Sequence, residues 1–306
     1  MVEVTRDSGT ANGHLMRQAT YAAVAVAVTL VLMKSATFYL TGSVAMLGTL
    51  MDSLLDGAAS LLNLVAVRHS LTPADAEHRF GHGKAEALAG LGQAIFILGS
   101  AGFIVYESVT RMISPEPISN SWPGIVVVAF AIVITLALVA FQRHVVGRTG
   151  SLAIAADSVH YRGDLLMNLA ALSAIFLSGV LGIHWADAVG GLLIASLIAF
   201  SAAQIALSSY NQLMDTELGD ADRDRIAAIA KSHAEVVDIH DLRTRKAGTQ
   251  TFIQFHLELD GKISLMKAHV ISDDVEARII EAFPDAEVII HQDPAGLEEI
   301  PPIDRV

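Results

Sequence analysis

The chain has no cysteine. That excludes a disulfide scaffold, a thiolate zinc finger, an iron–sulfur cluster and a thiol nucleophile. Any metal site must therefore be built from His, Asp and Glu. Charge is also scarce: 17% of the 306 residues are charged, against about 25% in an ordinary soluble domain. With 53% apolar residues and a mean hydropathy of +0.50, the chain is neither disordered nor a plain soluble globule.

The charge that exists is uneven. Residues 1–214 carry 12 acidic and 10 basic side chains, whereas residues 215–306 carry 20 acidic and 10 basic. The first part is apolar and nearly neutral. The second reads as an acidic soluble domain of ordinary size, which argues against nucleic acid as a partner and is compatible with cations.

A bilayer core about 30 Å thick needs about 20 mostly apolar residues in a helix. Six such segments run near 17–40, 43–67, 85–112, 123–146, 151–180 and 187–213. Short separators lie at Thr41-Gly42, Arg68 to Lys84, Ser114 to Pro117 and Gly147 to Gly150. The first segment is too long for a signal peptide, carries Lys34 and has no small-residue cleavage site. The expected organisation is an N-terminal segment (1–16), a six-helix membrane domain (17–214), a domain over 215–294 and a tail (295–306). Arg6, Arg17, Arg68, Arg79, Lys84, Arg143 and Arg148 cluster at one set of loops, and the opposite loops contain no Lys or Arg. Both termini and the acidic domain should then be cytoplasmic in a multi-pass protein.

Ionisable residues inside these spans are the main signal. Span two holds Asp52 and Asp56; span five holds Asp157, His160 and Asp164. Such a group at the bilayer centre costs roughly 2.5–3.5 kcal/mol even on lenient scales. Asp52/Asp56 and His160/Asp164 are each four apart, hence on one helical face. At 1.5 Å per residue, Asp52 and His160 lie roughly 15 Å, and Asp56 and Asp164 roughly 21 Å, from the surfaces where their antiparallel spans begin. All four therefore sit near the midplane. Three carboxylates and one imidazole, with no thiol, suit tetrahedral Zn²⁺ or a similar divalent ion. Polar glue between helices is the competing reading, and matched depth disfavours it. Asp157 either supports this set or lines its entrance. Lys34 and Glu107 lie near span ends, where snorkelling to the interface is expected.

The loop between spans two and three contains Asp75, His78 and His82, with Gly81 and Gly83 allowing it to fold back. This spacing fits either a metal site or a solvated loop. The acidic domain reads helix (220–234), strand (236–244), strand (251–259), helix (265–283), strand (286–291), an αββαβ order. Phe252, Gln254, His256 and Glu258 alternate with Ile253, Phe255, Leu257 and Leu259, as on a two-faced strand. His240, His256, His269 and His291 fall on four elements, with Asp241 and Asp293 beside the outer two. They are either surface histidines or a metal cluster.

Together these pieces resemble the cation diffusion facilitator family, in particular its bacterial zinc-efflux members of the YiiP type. The match runs from about residue 17 to Asp293. It is carried by Met51-Asp-Ser-Leu-Leu-Asp56, Phe80-Gly-His-Gly-Lys-Ala-Glu86, Asp157-Ser-Val-His-Tyr-Arg-Gly-Asp164, His240-Asp-Leu-Arg-Thr-Arg245 and Ile289-Ile-His-Gln-Asp-Pro294. The resemblance implies an α-helical membrane protein of six transmembrane helices, followed by a cytoplasmic, metallochaperone-like α+β domain. It implies a zinc transport site at Asp52, Asp56, His160 and Asp164, and a loop site at Asp75, His78 and His82. A cytoplasmic binuclear zinc site would fall on His240, His256, His269, His291 and Asp293. It further implies a homodimer in the bacterial inner membrane, with a charge interlock of Lys84 and Asp215 between subunits. Cytosolic Zn²⁺, with Cd²⁺ or Fe²⁺ as further ions, would be exchanged for protons, so the chain would be a secondary transporter, not an enzyme. Ala76, where some members carry an acid, departs from the loop pattern.

Metal binding needs deprotonated carboxylates and a neutral imidazole, so metal and protons should displace one another. His160 is the natural coupling group, because imidazole titrates near neutrality in water. Rival readings are a Mn²⁺ or Fe²⁺ exporter of the same class, a membrane metal sensor that does not transport, and an intramembrane aspartyl protease. The imidazole beside the carboxylates disfavours the protease, making a better metal cage than a catalytic dyad.

Overall fold

The computed structural model describes the backbone of residues 5–41, 44–113, 122–181 and 186–296. The expected separators at 41–42 and 114–117, the 181–186 connection and the tail 295–306 lie wholly or partly outside these. The chain divides into two units, one of them Thr10–Leu213 and the other containing the chain from Met214 on.

The first unit contains six long helices: α1 (Thr5–Thr41), α2 (Val44–Ser70), α3 (Lys84–Ile113), α4 (Trp122–Thr149), α5 (Leu152–Leu181) and α6 (Ala186–Leu213). Helix α1 starts twelve residues before the expected span. Its apolar stretch begins only at Asn12, so the first turns extend a membrane-length helix with polar residues. Five helices, α1–α4 and α6, are long and apolar enough to cross a bilayer among the described residues. Helix α5 is also of membrane length, and it carries Asp157, Arg162 and Asp164 in its first half. Large apolar side chains such as Leu32, Leu62, Phe103, Leu136 and Phe200 point outward, as a lipid-facing surface requires.

Helices α3 and α6 form the most extensive pair, and α5 packs on α3, α4 and α6. Small residues permit this. A Cβ on Gly90 of α3 would meet Ser209 Oγ of α6 at 2.8 Å, and one on Gly191 of α6 would collide with Ser108 Oγ of α3. Helix α4 stops at Gly150, whose φ of +65° closes the helix end through a bond from its N–H to the Val146 carbonyl (2.8 Å). Ser151 then caps α5, accepting from the Ile154 N–H (3.2 Å). Its hydroxyl also donates to the buried Glu86 carboxylate of α3. This short α4–α5 turn sets where α5 enters the bundle.

The second unit contains α7 (Asp220–Lys231), β1 (Asp238–Ala247), β2 (Gln250–Leu259), α8 (Leu265–Ala282) and β3 (Ala286–Pro294). The expected αββαβ order is present, with strand ends shifted by a few residues. The sheet order is β1-β2-β3; β1 and β2 are antiparallel and joined by a tight turn, while β2 and β3 are parallel with α8 between them. Ile253, Phe255, Leu257 and Leu259 bury one sheet face against Ile226 and Ala230 of α7 and Ile271, Val275 and Ile279 of α8. The alternation read from the sequence is the burial pattern of β2 from Ile253 onward; Phe252, expected on the polar face, is buried, with Arg245 over its ring at 4.5 Å. The sheet's other face carries the histidines.

Candidate metal centres

Three groups of side chains converge tightly enough to hold a metal: Asp56/His160/Asp164, Asp75/His78/His82 and His240/His256/Asp293. In each, one ligand atom per residue lies within 4.8 Å of the others.

In the first group, α2 contributes Asp56 and α5 contributes His160 and Asp164. His160 Nε2 is 2.9 Å from Asp56 Oδ1 and 3.7 Å from Asp164 Oδ2. Asp52 is not brought into this set. It lies one turn away on α2 and is exposed. Lys34 also departs from expectation. Instead of running out to the interface it turns toward α2, where Nζ donates to Ser53 Oγ (2.6 Å) and the Thr49 carbonyl (3.1 Å). The buried Ser53 hydroxyl and the exposed Thr49 carbonyl, on either side of Asp52 in the sequence, hold it there.

Sequence reasoning missed the framework behind His160. Asp157 faces no entrance; it is fully buried. Its two oxygens accept from Gln93 of α3 (3.1 Å) and Gln142 of α4 (2.6 Å). Tyr161 bonds Ser60 of α2 (2.8 Å) and donates to the Ala23 carbonyl of α1 (3.3 Å). The residues flanking His160 thus tie α5 to four neighbouring helices, which orients the imidazole as a partner behind a ligand does. A glutamine in each of two apolar spans was the signal that could have revealed this.

In the loop, His78 Nδ1 and His82 Nε2 stand 3.4 and 3.5 Å from the two Asp75 oxygens. Gly81 adopts the positive φ (+76°) that lets the loop turn back. His82 is buried, with Nδ1 3.3 Å from the Thr72 carbonyl. The His78 and Glu77 backbone N–H groups donate to Asp75 Oδ1 (2.6 and 2.9 Å). These bonds, His78's first, hold the Asp75 carboxyl below the usual carboxylate range. The ring of His69, at the end of α2, meets His82 edge-on at 4.6 Å between centroids.

The third group is built by strand register. His240 of β1 pairs with His256 of β2, which pairs with His291 of β3. One row of three imidazoles therefore crosses the face opposite the core. The next row reads Asp238, Glu258, Asp293. Asp293, nearly buried, places Oδ2 2.6 Å from His256 Nδ1 and 3.5 Å from His240 Nε2, and Oδ1 3.1 Å from His291 Nε2. Glu258 reaches His240 Nδ1 at 3.1 Å. One carboxylate facing three imidazoles is the donor chemistry of a carboxylate shared between metals, so these residues fit zinc. His269 is not in this set; it is exposed on α8 and pairs with Asp273 at 3.4 Å. Asp215 pairs with Arg245 at 3.3 Å, and Lys84 Nζ donates to the Leu213 carbonyl at 3.4 Å.

This helical unit, followed by this small α+β domain, defines a multi-pass membrane transporter of cations. The chain belongs to the cation diffusion facilitator family: residues 20–214 match the cation efflux transmembrane domain and residues 218–295 the cytoplasmic domain of cation efflux proteins. It is similar to the cation-efflux pump FieF of Shewanella oneidensis, at 46% identity over 283 residues, 92% of this chain and 95% of that one. FieF of Klebsiella pneumoniae is 47% identical over 285 residues, 93% of this chain and 95% of the other. Among solved structures, the metal-bound C-terminal domain of the CzcD transporter from Thermotoga maritima is 32% identical, with a TM-score of 0.25, and covers 26% of this chain and 93% of its own.

Proposed function

We propose that this cation efflux protein exports cytosolic Zn²⁺, and Cd²⁺ with it, in exchange for protons. It would act as a homodimer in the bacterial inner membrane with both termini in the cytoplasm. The observation that carries this reading is the convergence of Asp56, His160 and Asp164 from two membrane-length helices.

The chemistry follows from that geometry. A protonated imidazole between Asp56 and Asp164 offsets their charge; a divalent ion requires the same nitrogen lone pair and the same oxygens. Proton and metal therefore exclude one another, and an inward proton gradient drives metal outward. One imidazole among carboxylates favours zinc over harder ions such as Mn²⁺. Asp52 is the fourth ligand in this reading and joins when α2 shifts toward α5. Because the ligands sit on separate helices, tilting one against the other opens the site to alternate sides.

The other two centres would hold resident metal. On the sheet, His240, His256, His291 and Asp293 would bind it, neutralising part of the acidic domain's charge and drawing two copies together. His269, outside the set in one chain, would join from a second copy. Lys84 and Asp215 would form the charge interlock between subunits. Bound metal supplies a compact positive charge there, and the protein supplies a rigid donor row.

The deciding experiment is metal-dependent proton flux in proteoliposomes. Zn²⁺ on one side should drive counter-flow of protons in the wild type and none in Asp56→Ala. Zinc flux without proton flux would sink the antiport reading. Competition by Fe²⁺ or Mn²⁺ equal to that of Cd²⁺ would shift the cargo to the harder ions.

A further inference from the structure

We infer that His69 is a fourth ligand of the loop centre, completing with Asp75, His78 and His82 the shell that a tetrahedral divalent ion takes. The inference rests on reading that loop as a metal site.

Closed, resident zinc sites almost always use four protein donors. The loop offers three, and its other ring neighbour is His69, in the last turn of α2. The imidazoles of His69, His82 and His78 form a row, with centroids 4.6 Å apart on one side of His82 and 4.4 Å on the other. Two nitrogens bound to one tetrahedral zinc stand about 3.3 Å apart at Zn–N distances near 2.05 Å. The His69 ring stands outside the 4.8 Å cluster of the other three, so it has to turn toward them to meet that requirement. His69 has the freedom to rotate: it is exposed, and exposed side chains change rotamer in picoseconds to nanoseconds. The backbone keeps it in place, because the Thr72 N–H donates to the His69 carbonyl (3.0 Å) while the Thr72 carbonyl faces His82. The same short turn thus holds both histidines.

The consequence is mechanical. Asp75, His78 and His82 all lie between α2 and α3, and the His82 carbonyl accepts from the Ala85 N–H at the start of α3 (2.9 Å), so a three-donor site would hold the loop and the start of α3 but place no ligand on α2. A fourth donor on α2 would fasten the end of that helix to the loop. Helix α2 also carries Asp56, thirteen residues back and about 20 Å along the axis. Metal in the loop would then restrain the helix that has to move during transport.

The bland alternative is a histidine that interacts with the carbonyl end of α2 and rests its edge on His82. Cobalt(II) binding to the purified full-length protein separates the two, because tetrahedral Co²⁺ absorbs visible light far more strongly than an open, water-filled site. The Co²⁺ and the absorbance lost in Asp75→Ala define the loop's share. His69→Ala and His69→Phe should both keep a loop-bound equivalent, weakened roughly ten-fold or more, with its absorbance reduced to that of an open site. Phenylalanine keeps the ring edge without a nitrogen, so an effect of stacking alone would spare it. Loop affinity and spectrum unchanged in either variant, while Asp75→Ala abolishes them, would overturn the role of His69 alone. Asp75→Ala with no loss of bound Co²⁺ would overturn the loop site itself.

Discussion

Asp56 and His160 reach each other from two separate helices, whereas His240, His256 and His291 sit on three hydrogen-bonded strands. Donor types are nearly the same; the mechanical settings are opposite. Moving one strand of the sheet relative to its neighbour would break a ladder and turn every side chain to the other face. Moving α2 against α5 breaks no backbone hydrogen bond, because each helix satisfies its own. A centre that must release its ion belongs between helices, and one that must keep it belongs on a sheet. The loop centre has neither constraint and relies on Asp75 accepting two backbone N–H groups.

The sharpest test of this contrast is Asp56→Ala. Zinc flux in proteoliposomes should fall by more than the roughly 10–100-fold that loss of a merely supporting partner costs, with the protein still folded. Normal flux would erase the distinction between the two centres. Asp52→Ala should weaken zinc affinity by about 10–100-fold, although Asp52 stands outside the observed set; wild-type affinity would mean that α2 never brings it in. His160→Asp removes the only imidazole of the cluster, so the ratio of Zn²⁺ to Mn²⁺ transport should drop about ten-fold. Competition in vesicles reads this directly.

On the sheet, His256→Ala with Asp293→Ala should lower zinc capacity and prevent the zinc-dependent approach of two copies, measured by paired spin labels. Transport should decline several-fold and persist. Repulsion between acidic domains is screened over about 8–10 Å at physiological salt, so low salt should exaggerate the separation. The smallest effect concerns the loop. The depressed Asp75 pKa means its carboxylate stabilises the turn at any pH above the ordinary value of about 3.9 and loses that role only below it. Amide protection over residues 74–82, taken relative to the intrinsic exchange rate at each pH, should therefore be equal at pH 5 and pH 7. Deprotection between those values would mean that the His78 and Glu77 N–H bonds do not hold the turn.

Much of this was legible without coordinates. The spans follow from apolar length, β2 from its period of two, and His160 with Asp164 from their four-residue spacing. What could not be read was each helix's rotation about its own axis. That rotation leaves Asp52 outside, turns Lys34 toward Ser53 and buries Asp157 between Gln93 and Gln142. Nor could strand register be read: the row His240–His256–His291 depends on pairings between residues 16 and 35 positions apart.

By itself the amino-acid order determined the quantities that depend on near neighbours: hydropathy over twenty residues, the faces of a helix or strand, the lack of thiols and the excess of acid after Met214. Only the tertiary structure decided which faces meet. Contact between distant segments is chosen by the packing of the whole, as where Gly90 admits Ser209 and Tyr161 reaches Ser60. Local periodicity carries no information about a partner far along the chain, so it could not say where His269 stands; with α8 covering the sheet's buried face, that histidine lies apart from the sheet's own row within one chain.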